Sequence, residues 1–228
     1  MIAGVDGCED GWLAACESAD GAIELRFIER VADLFDDARL RLLLIDIPIG
    51  LMERSPRGAD QAARRLLKGR SSCVFNAPIR PILEARSYSE ANRIWREIEG
   101  KGCSAQGFAL VPKVVEVDQL VRDKASGRLR IVEGHPEVSF ALLNAGAAIL
   151  ESKHSKEGSR IRSELLSPEF DRDIHSLVAS WPKSMRTDVL DSLALLWSAR
   201  RIERGVAVRV PDTVVERDRF GIEAVIQA

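Results

Sequence analysis

The segment Leu42-Leu43-Leu44-Ile45-Asp46-Ile47 constrains this chain more than any other. An apolar run of that length, ended by Pro48 and Gly50, suits a strand covered on both faces, with helices on either side of its sheet. One carboxylate, Asp46, interrupts it. What precedes the run sets its neighbours. Ile2 to Val5 reads as a strand, Asp10-Gly11 as a turn, Trp12 to Cys16 as a second strand and Asp20-Gly21 as a second turn. Ile23, Leu25 and Phe27 alternate with Glu24 and Arg26 as a half-buried third strand. Val31, Leu34, Phe35 and Ala38 then recur at helical spacing. Two tight hairpins make the first three strands antiparallel. A helical crossover returns the chain in parallel, most simply beside the first strand.

Strand, strand, strand, helix, strand is the opening half of the RNase H-like fold, which also underlies the sugar-kinase and actin group. The expectation is an α/β protein in which a mixed five-stranded sheet is flanked by helices. It forms a single domain over 1–228, with a helix-rich insertion at about 52–125. Ser87 with Glu90 makes a capping box ahead of Tyr88, Ala91, Ile94, Trp95 and Ile98, and Pro112 opens a helix carrying Val114, Val117, Leu120 and Val121. Arg128 to Val132 reads as a fifth strand, Pro136 starts a helix, and the last long helix runs from about Ser184 to Arg204. Val206 to Val210 reads as a further edge strand, and the hydrophilic stretch Glu151 to Arg162 as a mobile loop.

Composition removes several classes. With 46% apolar and 30% charged residues the chain is not disordered, and a net charge of -2 gives no global pull toward nucleic acid or membrane. Any polyanion site must be a local patch. No apolar run approaches the ~20 residues of a membrane span, and Met1 to Asp6 lacks a basic leader, so the chain reads as cytoplasmic. Cys8, Cys16, Cys73 and Cys103 fall at no zinc-ligand spacing and read as reduced thiols.

The chemistry lies in carboxylates. Asp6 ends the first strand and Asp46 sits near the end of the fourth, so parallel pairing sets them side by side at one sheet edge. Two anions so placed need a shared proton or a cation. Asp188 and Asp191 are three apart on the last helix and share one face, although a capping pair would look the same. Together the four make an oxygen-rich pocket suited to Mg²⁺ or Mn²⁺ and to phosphodiester hydrolysis. Glu133 and Glu137 flank Gly134-His135-Pro136 and are further candidate ligands, with His135 available for proton transfer; the alternative is that they only complement a turn and a helix end. Arg54, Arg57, Arg64, Arg65, Lys68 and Arg70 stand against Asp60 alone as a locally basic stretch, and Lys153, Lys156, Arg160 and Arg162 make a weaker second group. Arg64, Arg65, Lys68, Arg70 and Lys153 are the candidates for contacts with DNA or RNA phosphates, the alternative being ordinary solvated faces. No aromatic residues interleave them as in single-strand binders.

Ordered segments along the chain carry a resemblance. They are Gly4-Val5-Asp6-Gly7-Cys8 with Gly11-Trp12, Asp46-Ile47-Pro48-Ile49-Gly50-Leu51, Arg70-Ser71-Ser72-Cys73-Val74-Phe75, Leu110-Val111-Pro112-Lys113, Glu133 to Phe140, and Asp188 to Ala194. On these the chain resembles the predicted RNase H-like nuclease family of microbial proteins. The resemblance implies a metal-dependent nuclease with Asp6, Asp46, Asp188 and Asp191 at its centre. The arrangement is also similar to that of RuvC-type resolvases, which carry a Glu where Asp46 stands. Two other readings share the fold: an ATP-dependent phosphotransferase, with Asp6-Gly7 opening a phosphate-binding hairpin, and a non-catalytic binding module.

Overall fold

The computed structural model describes residues 1–124, 127 and 129–228. Its sheet has seven strands: β1 Ile2–Cys8, β2 Gly11–Glu17, β3 Ile23–Ile28, β4 Leu42–Ile45, β5 Arg130–Glu133, β6 Arg209–Val210 and β7 Ile226–Gln227. Between β4 and β5 come helices α1 Gly58–Leu66, α2 Tyr88–Glu99, α3 Ala105–Ala109 and α4 Val111–Lys124. After β5 come α5 Pro136–Leu143, α6 Lys156–Phe170, α7 Ile174–Ala179 and α8 Arg186–Glu203. The spatial order is β3-β2-β1-β4-β5-β7-β6. β1 to β3 are antiparallel, β4 runs parallel to β1, and β5 runs parallel to β4. The fold is therefore α/β, with a mixed sheet flanked by helices.

Alternation along the central strands divides two cores. Ile2, Leu42, Leu44 and Val132 face α6, α7 and α8, whereas Ala3, Val5, Leu43 and Ile45 face Val114 and Val117 of α4. α8 is buried on every side from Val189 to Ala199, which its nearly uninterrupted apolar sequence permits. It lies directly on β1 because residue 4 is glycine. A Cβ there would run into the α8 backbone at Ser192, Leu195 and Leu196. That close approach fixes the height of α8 above the sheet.

Four expectations change. The first crossover is not a helix but one 3-10 turn, Val31–Leu34. Asp37 accepts the Arg39 backbone N–H at 3.0 Å, a local turn that competes with helix. The sheet has seven strands rather than five. β6 answers the edge strand expected at 206–210, and β7 is a two-residue strand too short to show periodicity. Glu151 to Arg162 is not simply a loop. Ser155 caps α6 by accepting the Gly158 N–H at 3.0 Å, and Arg162 is fully buried. The fifth strand begins at Arg130; Arg128, where it was expected to start, lies outside the described residues.

Gly4→Ala should cost more than a typical small-to-large change, which is about 1–3 kcal/mol, because the clash is with helix backbone. At about 2–4 °C per kcal/mol in a protein of this size, the melting temperature should fall by about 5 °C or more. A variant that melts with the wild type would show that α8 can ride up without penalty.

Candidate functional site

Register builds the site. Val5 pairs with Ile45, so Asp6 and Asp46 are the next residues on adjacent parallel strands, and the Asp46 N–H donates to Val5 O at 3.0 Å. Asp6 has the parity of Ile2 and Gly4, and Asp46 that of Leu42 and Leu44, so both face α8. Asp188 and Asp191 come from the first turns of α8, above the same edge. The four expected aspartates are brought together.

Their electrostatics follow from the crowding. Burial, then the Asp191 and Asp46 carboxylates, push the Asp6 carboxyl well above its usual range, and Lys153 opposes them. Asp46 is also raised, chiefly by burial, with His135 and Lys153 pulling the other way and a hydrogen bond joining it to Asp6. Burial and crowding thus favour the protonated form of both strand-end carboxyls. Asp188, nearer the surface, is raised from 3.8 to about 6 by burial and then by Asp191. The Lys153 ammonium donates to Asp191 Oδ2 at 2.7 Å, and its pKa is raised first by Asp191 and further by Asp6 and Asp46. Asp191 Oδ1 is buried without a hydrogen-bond partner, as is His135 Nδ1. Among the described residues, no group of three or more His, Cys, Asp or Glu is set so as to hold a metal ion. A lysine stands among the carboxylates instead.

The glutamates line the same cleft but are taken up by arginines. Glu133 has the parity of Ile131, the opposite face to the aspartates. Its carboxylate accepts from Arg57 Nη1 at 2.9 Å and Nη2 at 2.8 Å, and from the Ile49 N–H at 2.7 Å. Both oxygens of Glu137 accept from Arg162 Nη2, at 2.8 and 2.9 Å. Each is neutralised by a buried guanidinium, which leaves it a poor donor for a cation. The basic stretch also divides. Arg65 on α1 and Lys68 just beyond it are exposed and do not line the cleft of the aspartates, and Arg64 holds Val74 O and Asn76 Oδ1 at 2.8 and 2.6 Å. Arg70 and Lys153 line the cleft.

That cleft has a volume of about 640 Å³. Asp6, Asp46 and Asp188 stand along it with His135, Lys113, Arg70 and Phe75. Sequence reasoning missed Lys113 and Phe75 as site residues, although both fall in segments that carried the resemblance. Cys8 and Cys73 also face the cleft. Burial leads in raising both thiols, Cys73 to about 11, so neither is a thiolate nucleophile near neutrality. The site's chemistry belongs to its carboxylates.

A family model described as a protein of unknown function, DUF429, matches residues 4–216. The chain belongs to the DUF429 family. The match spans every aspartate of the cluster, Lys153 and the whole of the cleft except Ile226. No curated protein and no solved structure matches the chain significantly. Among the described residues no helix is long and apolar enough to cross a membrane.

The raised pKa of Asp188 sets a sign. Between about 3.8 and 6 the unfolded chain has released this proton and the folded chain still holds it, so stability from this group falls as pH rises through that window. Asp188→Asn should therefore be more stable than wild type above pH ~6, with the gap closing below pH ~4. Thermal melts across that range measure it. A variant that is less stable at every pH would mean that the Lys153 attraction outweighs burial and Asp191.

Proposed function

We propose that this DUF429 protein is an RNase H-like, divalent-metal-dependent phosphodiester hydrolase, a nuclease by class. The observation that carries the reading is the convergence of four aspartates from two parallel strand ends and one helix at a cleft, with Asp191 Oδ1 buried and unpartnered. With Lys153 moved off Asp191, the carboxylates would offer the hard oxygens that Mg²⁺ or Mn²⁺ take. Asp6, Asp46 and Asp191 would hold the ion, with Asp188 at the mouth. Lys153 is the group that yields, because its side chain is 34% exposed while Asp191 is 1% exposed. When bound, such an ion supplies an activated water and neutralises charge on phosphoryl oxygens.

The chain's own residues do the remaining work. Asp6 and Asp46, both raised, would have to be deprotonated to take a cation, which would make binding stronger as pH rises. His135, whose Nδ1 has no partner and whose charge bears on Asp46, is placed to hold a proton beside the reacting phosphate. Lys153, if it moved off Asp191, would remain at the cleft as a cation for a phosphate oxygen, and Asp191 would then be neutralised by the ion instead.

Two variants test this. Asp46→Asn should lower Mn²⁺-dependent hydrolysis of bis-p-nitrophenyl phosphate and of labelled DNA or RNA by at least ~100-fold, about 2.7 kcal/mol in the barrier. It should remain folded and melt at or above the wild-type temperature in metal-free buffer, since one carboxylate fewer is crowded there. Lys153→Met should melt lower than wild type without metal, and gain more from millimolar Mn²⁺, because the ion no longer displaces a resident cation. Wild type that gains no stability from Mn²⁺ and hydrolyses none of these substrates would overturn the assignment and leave a non-catalytic module on the same fold.

A further inference from the structure

Phe75 is unusual among the aromatic residues of this protein. It is 62% exposed, the most of any phenylalanine, and it lines the same cleft as the aspartates. It makes no ring–ring or cation–ring contact among the described residues. An exposed ring usually marks a mobile loop, but here the backbone is fixed on both sides. Arg64 grips Val74 O through Nε at 3.1 Å and Nη2 at 2.8 Å, and takes Asn76 Oδ1 at 2.6 Å. The Ala77 N–H donates to Asp60 Oδ2 at 3.0 Å, and Asp60 is itself held by Arg57, which also grips Glu133 at the end of β5. A bare aromatic face is thus presented to the cleft on a rigid support tied to the sheet.

Arg70 supplies the complementary group. It is on the same cleft wall with its side chain 24% exposed, and its guanidinium makes no hydrogen bond among the described residues. Its nearest carboxylate, Glu137, is 3.9 Å away and already accepts twice from Arg162. Arg70 therefore has a planar set of donors in reserve, the geometry that suits a phosphate. Leu110 extends the apolar surface of the mouth, and the volume of about 640 Å³ is that of a small-ligand cleft.

We infer that the cleft binds a nucleotide, with the base stacked on Phe75 and the phosphate paired to Arg70 beside the aspartates. This rests on the hydrolase reading for what happens to the phosphate, but not for binding. The nucleotide is either free or a unit of a single strand. A duplex base, stacked on both faces, cannot offer itself to the ring. Arg64 is a positioning residue that acts through the Val74–Asn76 segment.

Binding is measured in Ca²⁺, without turnover, for AMP, ribose 5-phosphate, adenosine, a single-stranded oligonucleotide and its abasic counterpart. AMP or the oligonucleotide should bind at least fivefold more tightly than the ligand without bases. Phe75→Ala should weaken the base-bearing ligand by about 5- to 150-fold, the 1–3 kcal/mol typical of one stacked base, and leave the abasic one unchanged. Phe75→Trp should restore it. Arg70→Gln should weaken phosphate-bearing ligands and spare adenosine. Tight AMP with a weak oligonucleotide assigns the free nucleotide, and the reverse assigns the single strand. Base-bearing and abasic ligands binding alike, or Phe75→Ala binding as wild type with an unchanged melt, would overturn the inference. Nucleotide binding without hydrolysis in Mn²⁺ would instead overturn only the hydrolase reading.

Discussion

Four carboxylates cannot occupy one buried sheet edge as free anions. At ~4 Å separation and an effective dielectric of ~20, each like-charged contact costs about 4 kcal/mol, comparable to much of the net stability of a domain. The molecule answers in two ways at once. Asp6 and Asp46 are held toward the protonated form, and Lys153 reaches in from the segment before α6 to neutralise Asp191. Neither answer is permanent: the protons leave as pH rises, and the lysine is partly exposed at the end of a flexible stem. Arrangement of the surrounding structure can be read as what keeps this cluster in place despite its repulsion.

Much of that restraint is arginine. Arg162 is fully buried, and through Nη1 it holds Gly158 O at 3.0 Å and Glu151 O at 3.3 Å, fixing the backbone on either side of Lys153. Its other terminal nitrogen binds Glu137 one turn into α5, beyond His135. The lysine and the histidine of the site are thus held by one guanidinium neither of them touches. Arg57 does the same for the far wall, joining β5 to α1 and to Ile49 O at 2.8 Å. Arg80 ties Asp118 of α4 to Asp218 and stacks 4.7 Å over Phe220. Buried pairs like these add little net stability over apolar packing, but breaking one partner leaves a buried charge and costs about 3–5 kcal/mol. Their contribution is geometric: each fixes two remote segments relative to the sheet.

How much was legible in the sequence follows from which rule governed each residue. Asp6 and Asp46 could be paired because the order of elements returns the fourth strand in parallel beside the first, and each aspartate closes one of those apolar runs. The two-residue period of a strand, applied to β5, separates Glu133 from them, since it falls on the face of Ile131 rather than of Val132. Glu137 was misplaced for another reason: its partner Arg162 lies 25 residues away, and no local pattern reveals such a pair. Arg162 itself sat in a segment whose many charges read as solvated loop, yet Ser155 and Gly158 form a helix start there. The 3-10 turn in place of the first helix reflects Asp37 turning the backbone locally. β7 was invisible because a two-residue strand has no period.

The basic stretch from Arg54 to Arg70 shows most clearly why charge alone was a poor guide. Its residues are not one surface. Arg57 is internal structure, Arg64 is a bracket for the Val74–Asn76 segment, Arg65 and Lys68 face solvent, and Arg70 faces the cleft. A guanidinium offers five donors in a fixed plane, so the same residue type can serve as a buried clamp or an anion receptor, depending on which donors find partners. Arg57 spends its donors on two carboxylates and the Ile49 carbonyl, Arg64 on the Val74 carbonyl and the Asn76 amide oxygen. The Arg70 guanidinium makes no hydrogen bond among the described residues and lines the cleft, and that difference, not its charge, sets it apart as the residue facing a ligand. The two clamps matter to that ligand all the same, because they hold the wall on which Phe75 stands.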